Sequence, residues 1–254
     1  MNTTDTSKRP VRMAFTNRAA GNLASHVGDD PATVAANRQR LADVFGLKPE
    51  QFVWMEQLHT NAVTVVDKQQ DAPVAATDAI VTTAEDLVLC VLVADCVPVL
   101  LADPHAKVIA AVHAGRIGAR NGIVKSTVEE MVKLGATPGT INALLGPAAA
   151  GESYEVPRQM AEDVEKHLPG SKTCTKKGTP GIDVRAGIIH QLMSLGVMHV
   201  EVHPADTITD DTFSPTGARK KLAARQALSG WQGINNGSFN GTENQPGHHH
   251  ARSA

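Results

Sequence analysis

The sequence predicts a single α/β domain, and three observations carry that prediction. Short, almost wholly apolar runs at 87–93, 98–102 and 108–113 suit strands buried on both faces. They alternate with stretches of helical apolar spacing after residue 30, after 118 and after 183. The 254 residues are enough for one large core, with no internal repeat and no convincing linker to divide them.

Taken in order, residues 1–10 read as a disordered tail and 11–16 as a first strand. Asp30 and Pro31 form an N-cap and first helical residue. The helix they open has Val34, Leu41, Val44 and Phe45 on its apolar face and carries Asn37 and Arg38. Residues 52–56 and 62–66 read as strands on either side of Gln57-Leu58-His59, and 79–82 as a short strand after a polar loop. The stretch 91–120 organises the rest: a buried hairpin, entered through Asp95-Cys96 and left through His113, with a turn at Asp103-Pro104-His105. A helix follows at 119–133, with Ile123, Val124, Val128, Met131 and Val132 inward. Next come a strand at 141–145, a helix at 157–167 and a polar loop at 170–181. A helix at 184–195, with Ile188, Ile189, Leu192 and Met193 inward, and a strand at 197–203 complete the pattern. The Gly- and Asn-rich end, 233–254, reads as disordered, leaving 11–232 as the catalytic domain.

Composition narrows the function. A formal net charge of -2 offers no polybasic signal for nucleic acid or membrane, and 3% aromatic residues disfavour a base-stacking surface. Three cysteines, Cys90, Cys96 and Cys174, do not make a disulfide framework; they fit a reducing cytoplasm. The first residues lack the apolar core of a signal peptide, and no apolar run is long enough to span a bilayer.

Asp95, Cys96 and His113 sit at the ends of the apolar hairpin, and the separate stretch Gln57-Leu58-His59 completes the same site. His59, Cys96 and His113 can offer two imidazoles and a thiolate to zinc, leaving a fourth position for water or substrate. Without a metal, Cys96 and His113 can pair as thiolate and imidazole for nucleophilic catalysis. Asp95 then either orients the histidine or caps a nearby turn. The bland alternatives are an inert buried cysteine and ordinary surface histidines, as at His105, His167 and His190.

Several short motifs make the chain resemble the laccase-domain family. The family is also called the multicopper polyphenol oxidase, purine nucleoside phosphorylase or peptidoglycan editing factor family. The motifs are Gln57-Leu58-His59, Thr77-Asp78-Ala79-Ile80-Val81-Thr82, Ala94-Asp95-Cys96-Val97-Pro98-Val99, His113-Ala114-Gly115, Leu145-Gly146-Pro147 and Tyr154-Glu155-Val156. Asn22-Leu23, His26 through Asp30, and Asn37-Arg38 match the N-terminal pattern. The resemblance implies a layered α-β-β-α sandwich with mixed sheets, the laccase-domain (cytotoxic-necrotizing-factor-like) fold. It implies zinc bound by His59, Cys96 and His113, with copper less favoured because a multicopper cluster needs many more placed histidines. It further implies phosphorolysis of adenosine, inosine and methylthioadenosine, with adenosine deamination beside it. The alternatives are a Cys/His hydrolase that edits a cell-wall precursor and a degenerate zinc-stabilised binding module. Expected partners are purine nucleoside and phosphate, on a cytoplasmic monomer or small homo-oligomer.

Departures from the family pattern bear on substrate contacts. Where the family carries Trp-Arg-Gly after His-Ala-Gly, this chain has Arg116-Ile117-Gly118. The loop 16–22 is short and lacks a Gly-Gly pair, and the motif from Phe213 runs on to Arg225 as the counterpart of its final arginine. Cys96, His113 and Asp95 are therefore the expected catalytic residues. Asn37, Arg38, Gln57, Arg116, Arg120 and Arg225 are the expected substrate contacts, with Arg116 or Arg120 at a loop entering a helix for phosphate.

Overall fold

The computed structural model describes residues 11–213 and the main chain of 225–231. The expected tails at 1–10 and 233–254 lie outside the described residues. Two mixed sheets stack face to face. The first has four strands in the order β1 (Val11–Phe15), β12 (Arg225–Trp231), β5 (Val88–Val93) and β2 (Phe52–Val53). The second has six: β11 (His199–Val202), β8 (Asn142–Leu145), β6 (Val97–Asp103), β7 (Val108–Ala114), β4 (Ala79–Thr82) and β3 (Val63–Val65). Pairs β2–β5, β3–β4 and β11–β8 are parallel; the other pairs in the two sheets are antiparallel.

Alternation along the strands explains the layering, because successive side chains point to opposite faces. In β5, Leu89, Val91 and Val93 face the second sheet, while Val88, Cys90 and Leu92 face α1 (Pro31–Phe45). In β6, Leu100 and Ala102 face the first sheet. Val97, Val99 and Leu101 face the helices α2 (Arg116–Arg120), α3 (Ile123–Lys133), α4 (Arg158–His167) and α5 (Val184–Ser194). Both sheets are thus covered on both faces, which is why their strands read as continuous apolar runs. The result is a single-domain α-β-β-α sandwich.

Most expected elements form where the sequence puts them, and the exceptions have local causes. Asp30 caps α1 by accepting from the Thr33 N–H at 3.0 Å, with Pro31 first in the helix. The helix expected at 119–133 is two helices, broken at Gly122, whose φ of +85° is left-handed. The polar loop at 170–181 holds a hairpin, β9 (Lys172–Cys174) with β10 (Pro180–Ile182). Val44, Val132 and Met193, expected inward, are exposed because they lie off the buried stripe of their helices. β12 was not expected from its sequence; it completes the first sheet between β1 and β5. The apparent continuity from 87 to 102 hides a crossing, since β5 and β6 belong to different sheets. Residues 94–96 bridge them.

The β6–β7 turn is fixed by Asp103, which is 1% exposed. Its carboxylate accepts from the N–H groups of His105, Ala106 and Thr137 and from the Thr140 hydroxyl. Burial raises its pKa, but these bonds outweigh burial and hold it below 3.8. A depressed carboxylate pKa stabilises the fold above the unfolded value, and that contribution is lost as pH falls below it. Asp103→Asn should therefore destabilise the protein at neutral pH and flatten the acid limb of its stability profile, read by urea titration between pH 7 and pH 3.

Candidate metal centre and its cavities

Two strand ends and a loop deliver three side chains to one point. Val97 pairs with Ala114 and Pro98 with His113 in the β6–β7 ladder, so Cys96 at the mouth of β6 arrives beside His113 near the end of β7. His59 comes from the loop between β2 and β3. The donor atoms of His59, Cys96 and His113 lie within 4.8 Å of one another. Cys96 Sγ is 3.9 Å from His59 Nε2, and the two imidazoles meet edge to face at 4.7 Å between centroids. Ligands around a tetrahedral zinc stand about 3.5 Å apart, given bond lengths of about 2.0–2.3 Å, so this donor set fits a divalent ion. Among the described residues it is the only such group of His, Cys, Asp or Glu, so a second metal cluster has no ligands there. His105, His167 and His190 are exposed, as expected.

The histidines are oriented by Asp78, which is fully buried. Its carboxylate accepts from the N–H groups of Leu58 (3.2 Å), His59 (3.0 Å) and Thr60 (2.7 Å) and from the Thr60 hydroxyl (2.7 Å). It also meets His113 Nδ1 at 2.8 Å. Burial raises the Asp78 pKa, but the bonds from His113 and Thr60 outweigh it and leave it at about 2. Burial lowers the pKa of His113, but the bond to Asp78, then that to Cys96, brings it to about 9. Ligation through Nε2 would exchange a ring proton for the ion. Burial and the charge on His113 lower the pKa of His59, which keeps its imidazole neutral and able to ligate.

Two cavities meet at Cys96. The smaller, about 140 Å³, is bounded by His26, Gln57, His59, Leu92, Cys96 and His113. The larger, about 270 Å³, is bounded by Asp95, Cys96, Arg116, Tyr154, Val184 and Ile208.

The expected contacts divide between these walls and positions behind them. Arg116 lines the larger cavity. Arg120 instead makes a two-pronged pair with Asp163, at 2.5 and 2.7 Å. Gln57 lines the smaller cavity but spends its amide on Leu92: Nε2 donates to the carbonyl (2.6 Å) and Oε1 accepts from the N–H (2.9 Å). Asn37 donates to the Asn22 carbonyl, and Arg38 donates twice to that of Leu23 while stacking on Trp54 at 3.8 Å. They pin the loop that brings His26 to the smaller cavity rather than lining it. The side chain of Arg225 lies outside the described residues.

Asp95 needs correction. It is exposed rather than buried, and it is not the partner of His113. Its φ of +69° makes the crossing between sheets, fixed by the Thr207 hydroxyl on Oδ1 (2.6 Å) and by the Ala149 N–H on its carbonyl (2.9 Å). Asp78 is the residue that sequence reasoning passed over. The available signal was a Thr-Asp pair set directly before an apolar strand, where a buried carboxylate must find donors. Tyr154, quoted within a motif but given no role, forms part of the larger cavity.

With this geometry in hand, comparison with known proteins is decisive. The family described as multi-copper polyphenol oxidoreductase laccase matches residues 6–227. The chain belongs to this family. It is 54% identical over 243 residues to a Corynebacterium glutamicum protein named purine nucleoside phosphorylase, covering 91% of this chain and 98% of that one. A Mycobacterium tuberculosis protein of the same name is 49% identical over 222 residues, covering 82% and 89%. Among solved structures, YlmD of Geobacillus stearothermophilus superposes with a TM-score of 0.81 at 25% identity, covering 89% of this chain and 94% of that one. The hypothetical protein YfiH of Bacillus licheniformis gives 0.80 at 26%, covering 87% and 93%.

This laccase-family chain has no helix, among its described residues, long and apolar enough to cross a membrane. Its His-Ala-Gly motif owes its last residue to the centre itself. A Cβ on Gly115 would fall 2.9 Å from Cys96 Sγ and 3.0 Å from His59 Cδ2. Gly115→Ala should therefore push two donors apart and weaken metal binding, measured by titration against a chromogenic chelator, with the far-UV circular dichroism spectrum unchanged.

Proposed function

We propose that the chain is a zinc-dependent purine nucleoside phosphorylase of the cytoplasm, acting on adenosine, inosine and methylthioadenosine. The observation that carries this reading is the near full-length similarity to relatives of that name. The three-donor centre where two cavities meet supports it. A divalent ion held by His59, Cys96 and His113 would supply concentrated positive charge to stabilise negative charge developing beside it.

The chain's own residues do the rest. Arg116 offers a guanidinium to phosphate in the larger cavity, and Val97, Val184 and Ile208 keep that side apolar. His26, Gln57 and Leu92 shape the smaller cavity for the other reactant. A phosphate oxygen bonds to C1′ as the glycosidic bond breaks, and the electron pair leaves with the base, which takes up a proton. In this reading Asp95, exposed and lining the larger cavity, relays it. Hydrolytic exchange of the adenine amino group for oxygen is the second activity in this reading. The Cys/His hydrolase reading draws on the same thiol, flanked by two imidazoles, and needs no ion.

Zinc-loaded protein given adenosine or inosine should release free base and ribose 1-phosphate only when phosphate is present. Activity that survives complete chelation would favour the hydrolase, and no product from any nucleoside would overturn the nucleoside-enzyme reading. Arg116→Ala should raise the KM for phosphate by roughly 10- to 100-fold, as expected for losing a charged hydrogen bond, while the KM for nucleoside holds. Equal effects on both would remove Arg116 from the phosphate site.

A further inference from the structure

We infer that Asp78 is the positioning residue of the metal centre, and that a single buried carboxylate sets two of its three ligands at once. This rests on the proposed ligation by His59, Cys96 and His113. It assigns work to a residue that holds no ion and lines neither cavity.

The carboxylate divides its acceptors between the two ligand segments. Oδ1 takes the His59 N–H and His113 Nδ1; Oδ2 takes the N–H groups of Leu58 and Thr60 and the Thr60 hydroxyl. The first group acts on the backbone. His59 has φ +60°, a left-handed conformation that a side chain other than glycine rarely adopts. Three consecutive N–H groups converging on one carboxylate hold that turn, and with it the direction of the His59 ring. The second group acts on a tautomer. With a carboxylate on Nδ1, that nitrogen keeps its hydrogen and Nε2 keeps a lone pair toward Cys96 and His59.

An asparagine cannot replace it. Five donors converge on the two oxygens, and an amide has only one oxygen. If its NH2 faces loop 58–60, it opposes the N–H groups there. If it faces His113, it forces Nδ1 to accept and moves the ring hydrogen to Nε2, where a ligand needs a lone pair.

The test reads zinc binding directly, by competition with a chromogenic chelator at pH 7, and does not depend on turnover. Asp78→Asn is expected to bind zinc roughly 10- to 100-fold more weakly than wild type, the usual cost of losing an outer-shell partner. Asp103→Asn is the matched control: it removes an equally buried carboxylate with four donors that touches no ligand. It should lose stability and keep wild-type zinc affinity. A folded Asp78→Asn that binds zinc as tightly as wild type overturns the inference, as does an equal loss of affinity in Asp103→Asn. Thr60→Val, which removes one hydroxyl from Oδ2, covers the case in which Asp78→Asn does not fold. It should weaken zinc by about fivefold, equivalent to about 1 kcal/mol for one hydrogen bond, and unchanged affinity there overturns the inference. Wild type that cleaves nucleosides while holding no zinc would instead overturn the metal reading, and this inference with it.

Discussion

The fully buried carboxylate of Asp78 is the constraint on which the centre depends. A desolvated negative charge is costly unless it is well supplied with donors, and this one receives five. Those donors are the turn that carries His59 and the ring of His113. Satisfying the charge and shaping the centre are therefore one event. Asp103 shows the same physics without the chemistry: there a buried carboxylate gathers donors to close a turn.

The stacked sheets supply the rest of the geometry. Antiparallel pairing of β6 with β7 fixes the height of Cys96 against His113 to within one residue, because a slip would turn one of them to the opposite face. Crossing from the first sheet to the second at 94–96 places the sulfur at the seam between the layers, with a cavity on either side. Gly115 then leaves the space the three donors need.

Much of this was legible in the sequence, for physical reasons. Strands covered on both faces must be apolar throughout, so β5, β6 and β7 announced themselves. Asp30-Pro31 is a strong helix start, and α1 begins there. Cys96 and His113 stood out as polar residues at the two ends of an apolar hairpin, and His59 as part of a short motif between two strands. What failed to show was long-range. That β5 and β6 part into different sheets leaves no local mark, and so Asp95 looked buried and paired. The partner of His113 lies 35 residues upstream, and only the fold brings it close. Asn37 and Arg38 stood out as polar residues in a helix, but which backbone carbonyls they reach depends on a loop whose path is set by tertiary contacts. The β9–β10 hairpin is polar because it packs at the surface, where its strands need no apolar alternation.

The left-handed turns at His59 and Asp95 have a consequence for how portable this site is. Each costs about 1 kcal/mol in an L-residue, and each is held by partners remote in the chain, Asp78 in one case and Thr207 with Ala149 in the other. A short peptide copied from either turn would relax into ordinary extended backbone and lose its aim. The centre is thus a product of the finished architecture, and transplanting its three donor segments without the seam that clamps them would carry the residues but leave the binding behind.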